Sequence, residues 1–151
     1  MTITEANDLT TLLHDQMPYS KTLSISAITA DTDRVITTAD WRPEYCGIGG
    51  VLHGGYLMSL ADGNGATLAF LNLPPGASTT TVESKTNFFR PVTSGSVTAT
   101  STMIHKGRST MAVQTDITND QGALVSRTLQ TQIVRPAPQP NGSSRYGTPQ
   151  E

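Results

Sequence analysis

The apolar and polar positions of the chain change period twice. Between residues 5 and 17, Leu9, Leu12 and Leu13 fall on one side of a helix, with Thr4 as its N-cap and Pro18 as its stop. From Lys21 the period becomes two, with Leu23, Ile25 and Ala27 alternating against Thr22, Ser24 and Ser26. The turn residues of "ADTD" and the following "RVITTA" make Lys21 to Ala39 a predicted hairpin. "DWRPEYCGIGG" reads as a loop. The stretch "VLHGGYLMSLADGNGATLAF", Val51 to Phe70, is predicted as one long helix, and "LPPGAS" ends it. Four strands follow in "TTTVESKTNFF", "GSVTATSTMIH", "STMAVQTDIT" and "ALVSRTLQTQIV", with "NDQG" as the turn before the last.

The connections between strands are short, so the sheet is expected to be largely antiparallel. Such a sheet has one apolar face to cover, and a single helix that is apolar nearly all round is its natural cover. The expected fold class is therefore α+β, a curved antiparallel sheet around one long central helix. Three parts are expected along the chain: an N-terminal helical segment over 1–19, the sheet-and-helix domain over 20–136, and a tail over 137–151. The tail is rich in Pro, Gly, Ser and Gln and has too few apolar groups to offset its ordering entropy, which predicts disorder.

At about 100° per residue, Leu57, Ala61, Leu68 and Leu71 share the helix arc expected to face the sheet. Asp62 lies on a neighbouring arc with Met58, Gly65, Ala66 and Ala69. A carboxylate on a helix flank is more often solvated or ion-paired than catalytic. The small residues beside it, however, allow close approach by a ligand or another backbone. Glycine inside a helix costs about 1 kcal/mol against alanine, so Gly63 and Gly65 call for a reason of that kind. The helix also begins at His53-Gly54-Gly55. First-turn N–H groups have no intrahelical partner and carry the positive end of the macrodipole. Glycine lets a ligand oxygen reach them, which suits a polarised carbonyl.

With 151 residues, the chain fits one domain that buries roughly 70% of its unfolded surface. Ten basic and 12 acidic residues give a formal charge of −2, which argues against nucleic acid or an anionic membrane as partner. No apolar run is long enough to span a bilayer, and no secretory signal is expected from "MTITEANDLTTLLHDQ". Cys46 is the single cysteine, so no internal disulfide can form, as in a reducing cytoplasm. A lone loop thiol is more often inert than nucleophilic. His14, His53 and His105 lack ligand spacing, so no metal site is expected.

The blocks "VLHGGYLMSLAD", "TNFFRPV", "HKGRST" and "NDQGALVSRTLQTQIVRP" occur in an order that resembles a hotdog-fold acyl-CoA thioesterase, over about residues 20 to 136. The resemblance is to the phenylacetic-acid-pathway (PaaI-like) and 4-hydroxybenzoyl-CoA thioesterase branch. It implies hydrolysis of a thioester to coenzyme A and a carboxylic acid, with coenzyme A as part of the substrate and no further cofactor. By the same resemblance Asp62 is the catalytic nucleophile or general base, and the Gly54 N–H faces the thioester carbonyl. His53 supports the turn beside Gly55, and Thr81 contributes a hydroxyl near the acyl group. Arg90 and the turn residues Lys106, Gly107, Arg108, Ser109 and Thr110 are expected contacts for the coenzyme A end.

One position departs from that pattern. Relatives often carry Asn or Gln six residues before the histidine, where this chain has Gly47. Backbone N–H groups or Asn64 are the expected substitutes. The departure motivates an alternative, a non-catalytic module that binds acyl-CoA or a small ligand. A hotdog dehydratase is a third reading, but its different Asp-His motif is not found. An uncovered sheet edge predicts a homodimer, and the resemblance extends this to a homotetramer. The active site is expected between subunits, with Asp62 from one chain and Thr81 or the coenzyme A contacts from the other. Met58, Phe88, Phe89 and Met111 are the expected acyl-pocket residues.

Overall fold

The structure, a computed structural model, describes residues 6–137. Thr4 and nearly all of the tail expected to be disordered lie outside the described residues. Helix α1 spans Ala6–Gln16, α2 Pro18–Thr22 and α3 Gly54–Leu71, and the strands are β1 Ser26–Ala30, β2 Arg34–Asp40, β3 Ser78–Phe88, β4 Ser96–Lys106, β5 Thr110–Asn119 and β6 Leu124–Arg135. They form one sheet in the order β1-β2-β4-β5-β6-β3, every neighbouring pair antiparallel. Five-residue β1 and eleven-residue β3 are its two edges.

The turn chemistry works as expected. Asp31 Oδ1 accepts the N–H of Asp33 at 2.8 Å and of Arg34 at 2.9 Å. These two bonds, that from Arg34 first, hold the Asp31 carboxyl below the usual range. Between β5 and β6, Asn119 Oδ1 accepts from Gln121 and Ala123, and Gly122 takes φ +77°.

The core lies between α3 and the concave face of the sheet. Leu57, Leu60, Ala61, Leu68 and Ala69 of the helix meet Val35, Val97, Ala99, Val113 and Ile117 of the strands, all buried. At its middle runs a polar layer. Asn64, 3% exposed, receives the Thr37 hydroxyl on Oδ1 at 2.9 Å. Its Nδ2 donates to the Val35 carbonyl at 3.0 Å and to Ser101 Oγ at 2.8 Å. Ser101 in turn meets Thr115 Oγ1 at 2.6 Å. Each of these groups would be costly to bury unpaired, so the layer fixes the height of α3 over three strands.

Three expectations are corrected. Pro18 does not only stop α1; it opens α2 from the first-turn position, where its missing N–H is harmless. Leu23, Ile25 and Ala27 are buried in alternation as expected, but strand pairing starts only at Ser26, because Ser24 takes φ +55° and turns the chain. Leu71 is 37% exposed rather than buried, although Leu68 and Ala69 of the same turn are fully buried against the strands.

Candidate active site

The His-Gly-Gly motif is a cap. His53 is extended at the N-cap, and its Nδ1 accepts the Gly55 N–H at 2.9 Å, so in the neutral ring the proton is on Nε2. Both glycines have a steric reason. A Cβ on Gly55 would stand 3.0 Å from His53 Nδ1, and one on Gly54 would stand 3.2 Å from the Phe88 ring. The Gly54 N–H has no hydrogen-bond partner among the described residues. It is left pointing from the positive end of an 18-residue helix.

The loop before the cap is held rigidly. His53 N donates to the Tyr45 carbonyl at 2.9 Å, and Leu52 N to Val92 O at 2.9 Å. The Tyr45 ring stacks on Tyr56 with centroids 4.4 Å apart. Tyr56 Oη donates to Leu23 O at 2.9 Å, and burial, reinforced by Tyr45, raises the ionisation of its phenol well above the ordinary value. Cys46 points its Sγ at the Arg42 and Gly50 carbonyls, so it faces the loop interior rather than Asp62.

Asp62 lies two turns further along α3, half-buried beside β3 and β6. Its Oδ1 accepts two donors, Thr81 Oγ1 at 2.9 Å and Gln130 Nε2 at 3.2 Å. Its other oxygen, Oδ2, takes no donor among the described residues. Thr81 in turn accepts from Gln132 Nε2 at 2.7 Å. The β-bulge after Thr81 re-aims the strand at this point. Gln130 is 2% exposed and Gln132 fully buried, so both amides are preorganised. Gln130 is seated against Gly65, where a Cβ would collide with its carboxamide. Its Oε1, otherwise unpartnered, lies on the Gly65 Cα, a weak C–H···O contact. The arrangement fixes a carboxylate through one oxygen and leaves the other without a donor among the described residues.

Several expected residues stand elsewhere. Asn64 cannot replace the missing amide at Gly47, because the core layer uses its side chain fully. Gln130 and Gln132, which sequence reasoning missed, place amides on Asp62 and Thr81. Thr81, expected from a second subunit, bonds Asp62 of its own chain. Met111 is 1% exposed in the core against Ala69 and Val134, so it lines no acyl pocket, whereas Phe88 and Phe89 are about half exposed. Arg90 Nη1 donates to the Leu124 carbonyl at 2.7 Å. Lys106 Nζ donates to Asn72 Oδ1 at 3.1 Å, which puts the turn carrying Gly107, Arg108, Ser109 and Thr110 at the C-terminal end of α3. The side chains of Arg108, Ser109 and Thr110 are exposed there.

A long central helix wrapped by such a sheet has known counterparts. The family model described as the thioesterase superfamily matches residues 49–126, just over half of the chain. The chain belongs to the thioesterase superfamily. Its fold is the hotdog fold of that superfamily, and it is a thioester hydrolase. The crystal structure of a Haemophilus influenzae thioesterase superposes with a TM-score of 0.82 at 26% identity, covering 93% of this chain and 97% of that one. A Saccharolobus solfataricus protein, provisionally named an esterase, is 29% identical over 109 residues, 72% of this chain and 77% of its own length. A mutant thioesterase from Pseudomonas aeruginosa superposes with a TM-score of 0.80 over 89% of this chain and 96% of that one; at 22% identity it shows the fold alone. No helix among the described residues is long and apolar enough to cross a membrane.

Proposed function

We propose that this thioesterase hydrolyses acyl-CoA, as in the PaaI-like and 4-hydroxybenzoyl-CoA thioesterase branch, with Asp62 attacking or activating water and the Gly54 N–H polarising the carbonyl. The observation that carries this reading is the Asp62 carboxylate, pinned through Oδ1 by Thr81 and Gln130 with Oδ2 free. Oδ2 either attacks the thioester carbon or takes the proton of an attacking water. In the first route a mixed anhydride forms as the coenzyme A thiolate leaves, and water then cleaves the anhydride. The thiolate is a good leaving group, so no strong general acid is needed.

The spacing along the same helix supports a two-chain site. Eight residues separate Gly54 from Asp62, about 12 Å along the axis. One carbonyl cannot touch both within one chain. Pairing of two copies about a two-fold axis, through the unpaired β3 edge, brings Gly54 of one copy to Asp62 of the other. Gly63 supports this: nothing among the described residues lies within 4 Å of the place its Cβ would take, so they give no steric reason for this helix-weakening glycine. Arg108, Ser109 and Thr110 remain the proposed phosphate contacts, and assembly of dimers into a tetramer remains part of the proposal.

Thiol release from an acyl-CoA panel tests the reading. The expected result is turnover that Asp62→Asn abolishes. Tight acyl-CoA binding without turnover by the wild-type chain would instead support a non-catalytic module.

A further inference from the structure

An apolar cavity of about 340 Å³ opens between α1, α3 and the β1–β2 hairpin, walled by Leu9, Leu12 and Leu13 of α1, Ala30 of β1, and Ala66 and Phe70 of α3. We infer that this cavity seats the hydrocarbon tail of the substrate, and that preferred substrates carry uncharged acyl groups on the order of ten carbons. The inference rests on the acyl-thioester reading above. Three features of the cavity carry it.

The first is its chemistry. No charged side chain lines it. The hydroxyls that border it are already committed: Thr37 donates to Asn64 Oδ1 at 2.9 Å, Thr67 to the Gly63 carbonyl at 2.8 Å, and Thr79 to the Ile133 carbonyl at 3.0 Å. Gln16, the remaining polar side chain on the wall, is exposed to solvent. An occupant therefore meets almost nothing but hydrocarbon, and a charged or hydrogen-bonding group would be desolvated without compensation.

The second is its position. Ala66 is one helical turn beyond Asp62 on the same face, about 6 Å away. On the other wall, Thr79 lies two residues before Thr81 in β3 and shares its Gln132 partner, which accepts from Thr79 at 3.1 Å and donates to Thr81 at 2.7 Å. A thioester held at Asp62 thus has its tail within about one helical turn of the cavity wall.

The third is size and origin. The volume is about twice the ~150 Å³ that encloses one benzene, so an acetyl group leaves it mostly empty. One whole wall is α1, which precedes the superfamily match at residues 49–126. Selectivity set there lies outside the segment that defines the superfamily.

The test is kcat/KM across acetyl-, butyryl-, octanoyl- and decanoyl-CoA for the wild-type chain and Ala30→Phe, with decanoate binding followed by calorimetry. Burial contributes about fourfold per methylene, so kcat/KM should rise at least a hundredfold from acetyl to decanoyl. Ala30→Phe should lower the decanoyl-to-acetyl ratio at least tenfold and abolish decanoate binding. Leu13→Gln, which makes the wall polar without filling it, should do the same if Ala30→Phe does not fold. A flat chain-length profile, or an unchanged ratio in the folded variants, overturns the inference. If no acyl-CoA is turned over, the catalytic reading fails, and decanoate binding that is lost in the variants still upholds the cavity as an apolar-tail site. A change of oligomeric state in the variants would show that a second copy covers the groove, and would overturn it.

Discussion

Gly65→Ala isolates the contact that seats Gln130 against the helix. In an open helix interior this change stabilises by about 1 kcal/mol. Here the added Cβ would occupy the volume of the Gln130 carboxamide, an overpacking that costs about 1–3 kcal/mol. The expected net change in the wild-type background is therefore neutral to about 2 kcal/mol destabilising. In a Gln130→Ala background the obstacle is gone, and the same substitution should stabilise by about 1 kcal/mol. The coupling is then about 2 kcal/mol, and each kcal/mol shifts the melting temperature of a domain this size by roughly 3–5 °C. Displacing Gln130 also removes a donor from Asp62 Oδ1. A hydrogen bond to a charged group contributes about 1.5–3 kcal/mol, so kcat should fall roughly tenfold or more. Thermal melts of the four proteins, with thiol release on each, make the measurement. If Gly65→Ala raises the melting temperature equally in both backgrounds and activity is intact, Gln130 is not seated as described.

Other expectations follow from the same geometry. Asp62→Asn should lower kcat at least a thousandfold with an unchanged melting curve, since the amide keeps the volume and can still accept from Thr81; near-normal turnover would remove Asp62 from the chemistry. Asn64→Ala should destabilise by about 2–4 kcal/mol in denaturant melts, because it orphans the Thr37 hydroxyl and removes a donor from Ser101 and from the Val35 carbonyl; a loss under 1 kcal/mol would mean that water replaces the amide. Tyr56 gives a pH signature. Its phenol ionises at higher pH in the folded chain than in the unfolded one, so its contribution is complete below about pH 10, where the unfolded phenol titrates, and is lost as pH rises toward the folded value. Tyr56→Phe should cost about 1 kcal/mol at neutral pH and flatten the fall in stability above pH 10; an unchanged alkaline slope would assign that fall to other groups.

The central helix and the four strands after it were legible because their periods are long and their turns carry Asn, Asp and Gly at the right offsets. The helix-borne Asp62 stood out as a charge in an apolar segment. Its immediate partners did not. In β6 the inward face is Thr128, Gln130 and Gln132, all buried, while Leu129 on the other face is 43% exposed. Hydrophobicity therefore points to the wrong side of that strand, and the two glutamines look solvated. The seat that makes Gln130 tolerable is a glycine 65 residues earlier, a tertiary relation that no local pattern carries. The hairpin start was misread for a local reason, the left-handed Ser24. The bond between Thr81 and Asp62 of the same chain joins residues of two different elements, α3 and β3, and no local pattern announces it.

Complementation between two inactive variants tests the two-chain site most directly. Gly54→Pro removes the N–H at a first-turn position that accepts proline, after a residue already at φ −64°, ψ 137°, and its Cβ requires the half-exposed Phe88 ring to shift by a few tenths of an ångström. Asp62→Asn removes the attacking carboxylate. Each alone should be inactive. Co-assembled one to one, random pairing should restore about a quarter of wild-type activity, because half the dimers carry one intact site of two. A mixed sample that forms heterodimers yet stays inactive would contradict a site shared between copies.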